Sequence, residues 1–71
     1  MATPVESPMV GKVLQVVVQV GDTVEEDDTV IVMEAMKMEI NVVAPVAGRI
    51  IEIKVAPGDS VDTDQVVAVI E

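Results

Sequence analysis

Between Ile50 and Val55 apolar and charged residues alternate, with Ile51, Ile53 and Val55 in one phase and Glu52 and Lys54 in the other. That two-residue period marks a strand with one buried face. The run Val13-Leu14-Gln15-Val16-Val17-Val18 is nearly all apolar and has no clear period of its own. Its phase follows from a repeat. Shifting the chain by 37 residues lays Ala44-Pro45-Val46-Ala47-Gly48-Arg49-Ile50 on Ser7-Pro8-Met9-Val10-Gly11-Lys12-Val13, and Val67-Ala68-Val69-Ile70-Glu71 on Val30-Ile31-Val32-Met33-Glu34. Leu14, Val16 and Val18 are thereby assigned to the inward face with Ile51, Ile53 and Val55, and Gln15, Val17, Glu52 and Lys54 point outward. Val13 and Val17 then form an apolar outer strip, readable as a docking surface or as scattered surface valine.

Ten of the 28 positions paired in this way are identical, among them Pro8, Gly11, Gly21, Asp22 and Glu34 with Pro45, Gly48, Gly58, Asp59 and Glu71. Valine abundance accounts for some identities, but not for the coincident Pro, Gly and Gly-Asp punctuation. Two equal halves follow, residues 7–34 and 44–71, joined by a short segment at 35–39 within one domain spanning 1–71. Each half is too short to bury its own apolar face. The expected fold is therefore all-β: a flattened β-barrel or sandwich in which the halves pack about a pseudo-twofold axis. Strands are expected over 12–18, 29–35, 38–43, 49–55 and 66–71, with short pieces near 5–7 and 44–46 and no helix.

Composition narrows the chemistry. Phe, Tyr and Trp are absent, so the core must be built from Val, Ile, Leu, Ala and Met, which favours strands. Histidine and cysteine are absent too, removing the usual general base, the thiol nucleophile, disulfides and every His/Cys metal site. With 71 residues there is no room for a large cleft, and an enzyme is not expected. A net charge of −9 would repel nucleic acid and anionic lipid. Glu25-Glu26-Asp27-Asp28 reads as a solvated loop before it reads as a docking surface for a basic partner. No charged start precedes an apolar run, and no apolar stretch is of membrane length, so a soluble cytoplasmic protein is expected.

The repeat does not dictate Ala35-Met36-Lys37-Met38-Glu39, which lies at the seam. Strands ending at Glu34 and restarting at Met38 would form a hairpin with a two-residue turn at Met36-Lys37, setting Ala35 opposite Met38 and Glu34 opposite Glu39. Two local rules are then broken. Such turns want Asn-Gly or similar at their positive-φ positions, and like charges facing each other across strands destabilise. Conflict of this kind often marks function. The plainer reading, with Met36 and Met38 as packing residues and Lys37 as surface charge, stands beside it. Glu34 has a repeat partner, Glu71, that sits at no such turn, so its place follows from the repeat as readily as from function. Pro8, Gly11, Gly21, Pro45, Gly48 and Gly58 read as turn and packing devices.

Glu34-Ala35-Met36-Lys37-Met38-Glu39 resembles the attachment motif of biotinyl domains, the biotin carboxyl carrier family, in which the lysine between two methionines carries biotin. The two Pro-x-x-Gly segments and both Gly-Asp-x-Val turns also resemble that family, so the likeness covers nearly the whole chain. It implies a flattened barrel of two four-stranded antiparallel sheets. Many relatives have glycine where this chain has Asp27 and Asp64; Asp tolerates left-handed backbone, so the turns are expected to survive. The protruding insertion of carriers of the bacterial acetyl-CoA carboxylase type is missing. The chain looks more like the carriers of acyl-CoA or pyruvate carboxylases, transcarboxylases or decarboxylases.

The resemblance further implies that biotin protein ligase joins biotin to Lys37, and that the arm carries carboxyl groups between a biotin carboxylase and a carboxyltransferase or decarboxylase. Met36 and Met38 would offer soft contacts to those partners, with Ala35, Glu34 and Glu39 in lesser roles. A lysine amine is overwhelmingly protonated near neutrality. Lys37 has acidic neighbours where a nucleophilic lysine needs burial or a cation, so it reads as the substrate of modification. The rivals are a lipoyl carrier, whose usual motif is Asp-Lys-Ala, and an unmodified β-sandwich interaction module.

Overall fold

The computed structural model describes residues 2–71. Its strands are β1 (Thr3–Glu6), β2 (Gly11–Val16), β3 (Thr23–Val24), β4 (Thr29–Ala35), β5 (Met38–Val43), β6 (Gly48–Ile53), β7 (Ser60–Val61) and β8 (Val66–Ile70). They form two four-stranded sheets, ordered β1-β8-β6-β3 and β5-β4-β2-β7, and every pairing is antiparallel. The flattened barrel of the sequence reading is thus the observed fold. A shift of 37 residues maps β2 on β6 and β3 on β7 residue for residue, and turns one strand order into the other. It also sets Val5 of β1 on Val42 of β5, both buried. Each sheet takes strands from both halves, so neither half can complete a sheet alone.

The turns obey the same symmetry. Gly21 N–H donates to Ile50 C=O and Gly58 N–H to Val13 C=O, both at 2.8 Å. Asp22 Oδ2 accepts from Gln19 N–H, and Asp59 Oδ2 from Ala56 N–H, both at 2.9 Å. These carboxylates hold the Gly-Asp turns by satisfying a backbone donor three residues upstream. Asp27 and Asp64 adopt φ of 73° and 65°, the left-handed conformation that the sequence reading expected these aspartates to tolerate. Their N–H groups donate to Ala44 C=O and Ser7 C=O at 2.9 and 2.8 Å. Glu25, Asp27 and Asp28 of the acidic run are therefore tied into a turn, since Asp28 Oδ2 also accepts from Glu25 N–H at 2.9 Å.

The expected phase fails at Leu14 and Ile51, and the failure is itself symmetric. In the β2–β4 ladder Val13 faces Met33 but Gln15 faces Val32, and in the β6–β8 ladder Ile50 faces Ile70 but Glu52 faces Val69. Leu14 and Ile51 are the extra residues of two β-bulges. A bulge shifts the alternation by one, so Val13 (1% exposed) and Ile50 (0%) are buried while Leu14 (41%) and Ile51 (39%) are not. Val13 belongs to the core and to no outer strip. Beyond the bulges Val16, Val18 and Ile53 return to the inner side and Val55 is buried. Residues 44–46 form no strand; Ala44 is buried, but its N–H donates to Asp28 C=O outside any ladder. The strands β3 and β7, inside the two Gly-Asp-x-Val motifs and paired with β6 and β2, were not foreseen.

The core is aliphatic apart from Met33 and one buried serine. Ser7 Oγ donates to Met9 C=O at 2.7 Å and lies 3.5 Å from Met33 Sδ. Gly48 is required by close approach: a Cβ there would stand 2.6 Å from Ile70 Cγ2 and 2.8 Å from Glu71 O. The molecule is elongated, 32 × 18 × 18 Å. β1 runs from Thr3, paired with Ile70, towards Ser7 beside Met33, so the β4–β5 turn and the pairing of Thr3 with Ile70 lie at opposite poles. No helix long and apolar enough to cross a membrane occurs among the described residues.

Neighbouring residues give a sharp test of the bulge. Ile50→Ala should cost about 2–5 kcal/mol, whereas Ile51→Ala should cost less than about 1 kcal/mol. Urea unfolding of the two variants measures both.

Candidate functional site

The β4–β5 ladder pairs Met33 with Ile40, Glu34 with Glu39 and Ala35 with Met38, leaving Met36 and Lys37 as a two-residue loop. Their φ angles are 53° and 65°. Two consecutive left-handed residues make a turn of type I′, whose twist matches that of the flanking strands. Neither residue is glycine or asparagine, so each position costs about 1 kcal/mol or more in backbone energy. The local conflict read from the sequence is present in the structure.

The base of the hairpin bears that strain. β4 lies inside its sheet, bonded to β2 on one side and β5 on the other. Met33 is fully buried and Ala35 is 4% exposed. Gly11 lets β2 close on this point, since a Cβ there would collide with Glu34 O and Met33 Cε and stand 3.2 Å from Ala35 Cβ. Ala35 is thus a packing residue at the foot of the turn. A larger side chain would have to displace β2.

Above this foot the side chains leave the protein. Met36 is 86% exposed and Met38 65% exposed, and Lys37 is exposed as well. Met38 follows the inward phase of Ala35, but the core ends below it, so it overhangs. Glu34 and Glu39 point outward and are exposed. They form a row across the sheet with Lys12 and Ser60, in the order Glu39, Glu34, Lys12, Ser60. Lys12 therefore flanks Glu34 and brings an opposite charge beside the like-charge pair, without an ion pair to it within 4.0 Å. This neighbour was missed in the sequence because only the β2–β4 register brings it there.

Among the described residues the one ion pair joins Lys54 Nζ to Glu52 Oε2 at 3.5 Å, between partly exposed side chains. Nothing comparable holds the Lys37 ammonium. Among those residues there is also no cavity and no group of three acidic side chains that could hold a metal. What the arrangement offers is a primary amine at the tip of a fixed turn, between two exposed thioethers.

The strain can be measured. Met36→Asn with Lys37→Gly should raise the unfolding free energy by about 1–2 kcal/mol, because both replacements tolerate the left-handed region. Thermal unfolding beside the parent chain reads the gain.

The model of the family described as "Biotin-requiring enzyme" matches residues 3–70. The biotin carboxyl carrier protein of Streptococcus mutans is 49% identical over 43 residues, which cover 61% of this chain and 33% of that protein. The homolog of biotinylated protein TB7.3 in Mycolicibacterium smegmatis is 50% identical over 44 residues, 62% of each chain. Among solved structures, the urea carboxylase of Kluyveromyces lactis contains a region that superposes on all of this chain with a TM-score of 0.95 and 39% identity, over 6% of its own length. The chain thus spans a part of each of these proteins. With the fold, the twofold repeat and the Met-Lys-Met turn in agreement, the chain belongs to the biotin-requiring enzyme family.

Proposed function

We propose that residues 1–71 act as one biotin carboxyl carrier domain, with 35–39 as its attachment hairpin and Lys37 as the residue joined to biotin through an amide. The observation that carries this reading is the display of Lys37. Its amine stands on a type I′ turn whose foot is buried and whose flanking methionines are solvent-exposed. An amine so placed fits the attachment of a long acyl group, since no wall of the protein crowds it and no carboxylate lies in an ion pair with it among the described residues.

Lys37 is acylated by an outside enzyme, biotin protein ligase, which supplies an activated carboxyl and the base that takes the ammonium proton. The amine attacks that carbonyl, the activating group leaves, and the side chain loses its positive charge. Met36 and Met38 give the ligase soft apolar contacts that tolerate variation in shape. Ala35 fixes the foot of the turn, and Glu34 and Glu39 present charge along its outer side.

Once bound, the cofactor supplies a ureido ring that holds a carboxyl group. The protein's own contribution is reach and placement. Four methylenes of Lys37 and the acyl chain form a tether that raises the local concentration of the carried group at separate active sites. The domain performs no chemistry itself. Its proposed partners are a biotin carboxylase and a carboxyltransferase or decarboxylase, on the same or another chain, working in the cytoplasm.

Co-expression with biotin protein ligase and biotin should add the mass of one biotin less one water to the intact chain and nothing to the Lys37→Ala variant, leaving Lys12 and Lys54 unlabelled. An unmodified parent, under conditions that fully label a known biotinyl domain, would overturn the reading and direct attention to lipoylation or to passive binding.

A further inference from the structure

Four of the five methionines lie among the described residues, in three environments. Met33 is 0% exposed beneath the hairpin, with its Sδ 3.5 Å from Ser7 Oγ. Met9 is partly buried against the core. Met36 and Met38, either side of Lys37, are 86% and 65% exposed. We propose that Met36 and Met38 are a modification site for peroxide, and that their conversion to sulfoxides hinders enzymic acylation of Lys37. The second half of this statement rests on the carrier reading above.

The reaction needs only the thioether and a peroxide. A sulfur lone pair attacks one peroxide oxygen, the S–O bond forms as the O–O bond breaks, and the departing hydroxide takes the proton of the transferred hydroxyl to leave as water. Sulfur loses two electrons and peroxide gains them. Accessibility governs which thioethers react. At Met36 and Met38 the new S–O dipole is solvated, and the fold has nothing to lose. At Met33 the same dipole would enter an aliphatic core, so oxidation there must wait for the barrel to open.

Sulfoxide formation leaves the turn backbone and the Lys37 charge as they were. What changes is the character of the tip, where two flexible apolar side chains become two polar, chiral ones. A small acylating reagent senses only the amine. A ligase that packs against the thioethers senses their oxidation.

Hydrogen peroxide is the probe, followed by peptide mass mapping and then two acylation assays: biotin protein ligase with biotin and ATP, and a water-soluble N-hydroxysuccinimide ester of biotin. Sulfoxide is expected at Met36 and Met38 well before Met33. The ligase rate at Lys37 should then fall about tenfold, the scale on which pockets discriminate one changed apolar group, while the ester labels Lys37 as before. Methionine sulfoxide reductase should restore the rate, and a chain with Met36→Leu and Met38→Leu should keep its rate through peroxide treatment. Equal oxidation of Met33, or an unchanged ligase rate on a chain oxidised at both positions, would overturn the inference. A reduced parent that the ligase ignores would instead overturn the carrier reading, together with the consequence drawn from it, while the mapped selectivity would stand on its own.

Discussion

Everything at the lysine depends on the register of β4 against β5. With Ala35 opposite Met38, two residues remain to reverse the chain, and the twist of the strands demands left-handed backbone at both. Met36 and Lys37 do not favour that conformation. They adopt it because Met33 and Ala35 are locked in the core three and one residues before the turn, and because Gly11 lets β2 close against them. Slipping the register by one residue would turn Met33 and Ala35 out to solvent and Glu34 into the core. Burial at the foot thus enforces strain at the tip, and the strain sets where Lys37 stands.

The barrel that supplies this foot is a symmetric object. The backbone turn bonds of one half have their mates on the other, from the Gly-Asp turns to the left-handed Asp27 and Asp64. The hairpin is where the symmetry is spent on something else. β1 and β5 correspond through Val5 and Val42, but β5 extends to Met38 and joins β4 through the turn. One pole thereby presents the amine, while Thr3 and Ile70 pair near the other. In the proposed carrier role, that separation would leave the lysine end free to enter other active sites.

Much of this was legible in the sequence because the repeat is written in residues whose backbone demands are strict. Gly-Asp and Pro-x-x-Gly, repeated at a spacing of 37 residues, announced two halves, and strand ends around Glu34 and Met38 implied the turn and its facing pairs. The bulges at Leu14 and Ile51 were not legible. Both are ordinary apolar residues in runs where either phase buries aliphatic side chains, so only the ladder shows which one is extra. Lys12 beside Glu34 was hidden for a related reason, since the two meet through a register that no local pattern specifies. The two-residue strands β3 and β7 lay inside motifs already read as turns.

The most direct test of this account exchanges the two turn residues, Met36→Lys with Lys37→Met, and measures the intact mass after incubation with biotin protein ligase, biotin and ATP. Composition, charge and strand register are unchanged by the exchange, so only the place of the amine on the turn differs. If the turn geometry places the amine for modification, the exchanged chain stays unlabelled while the parent gains one biotin. A label at the new lysine, gained as fast as by the parent, would contradict the claim that the strained turn sets the site.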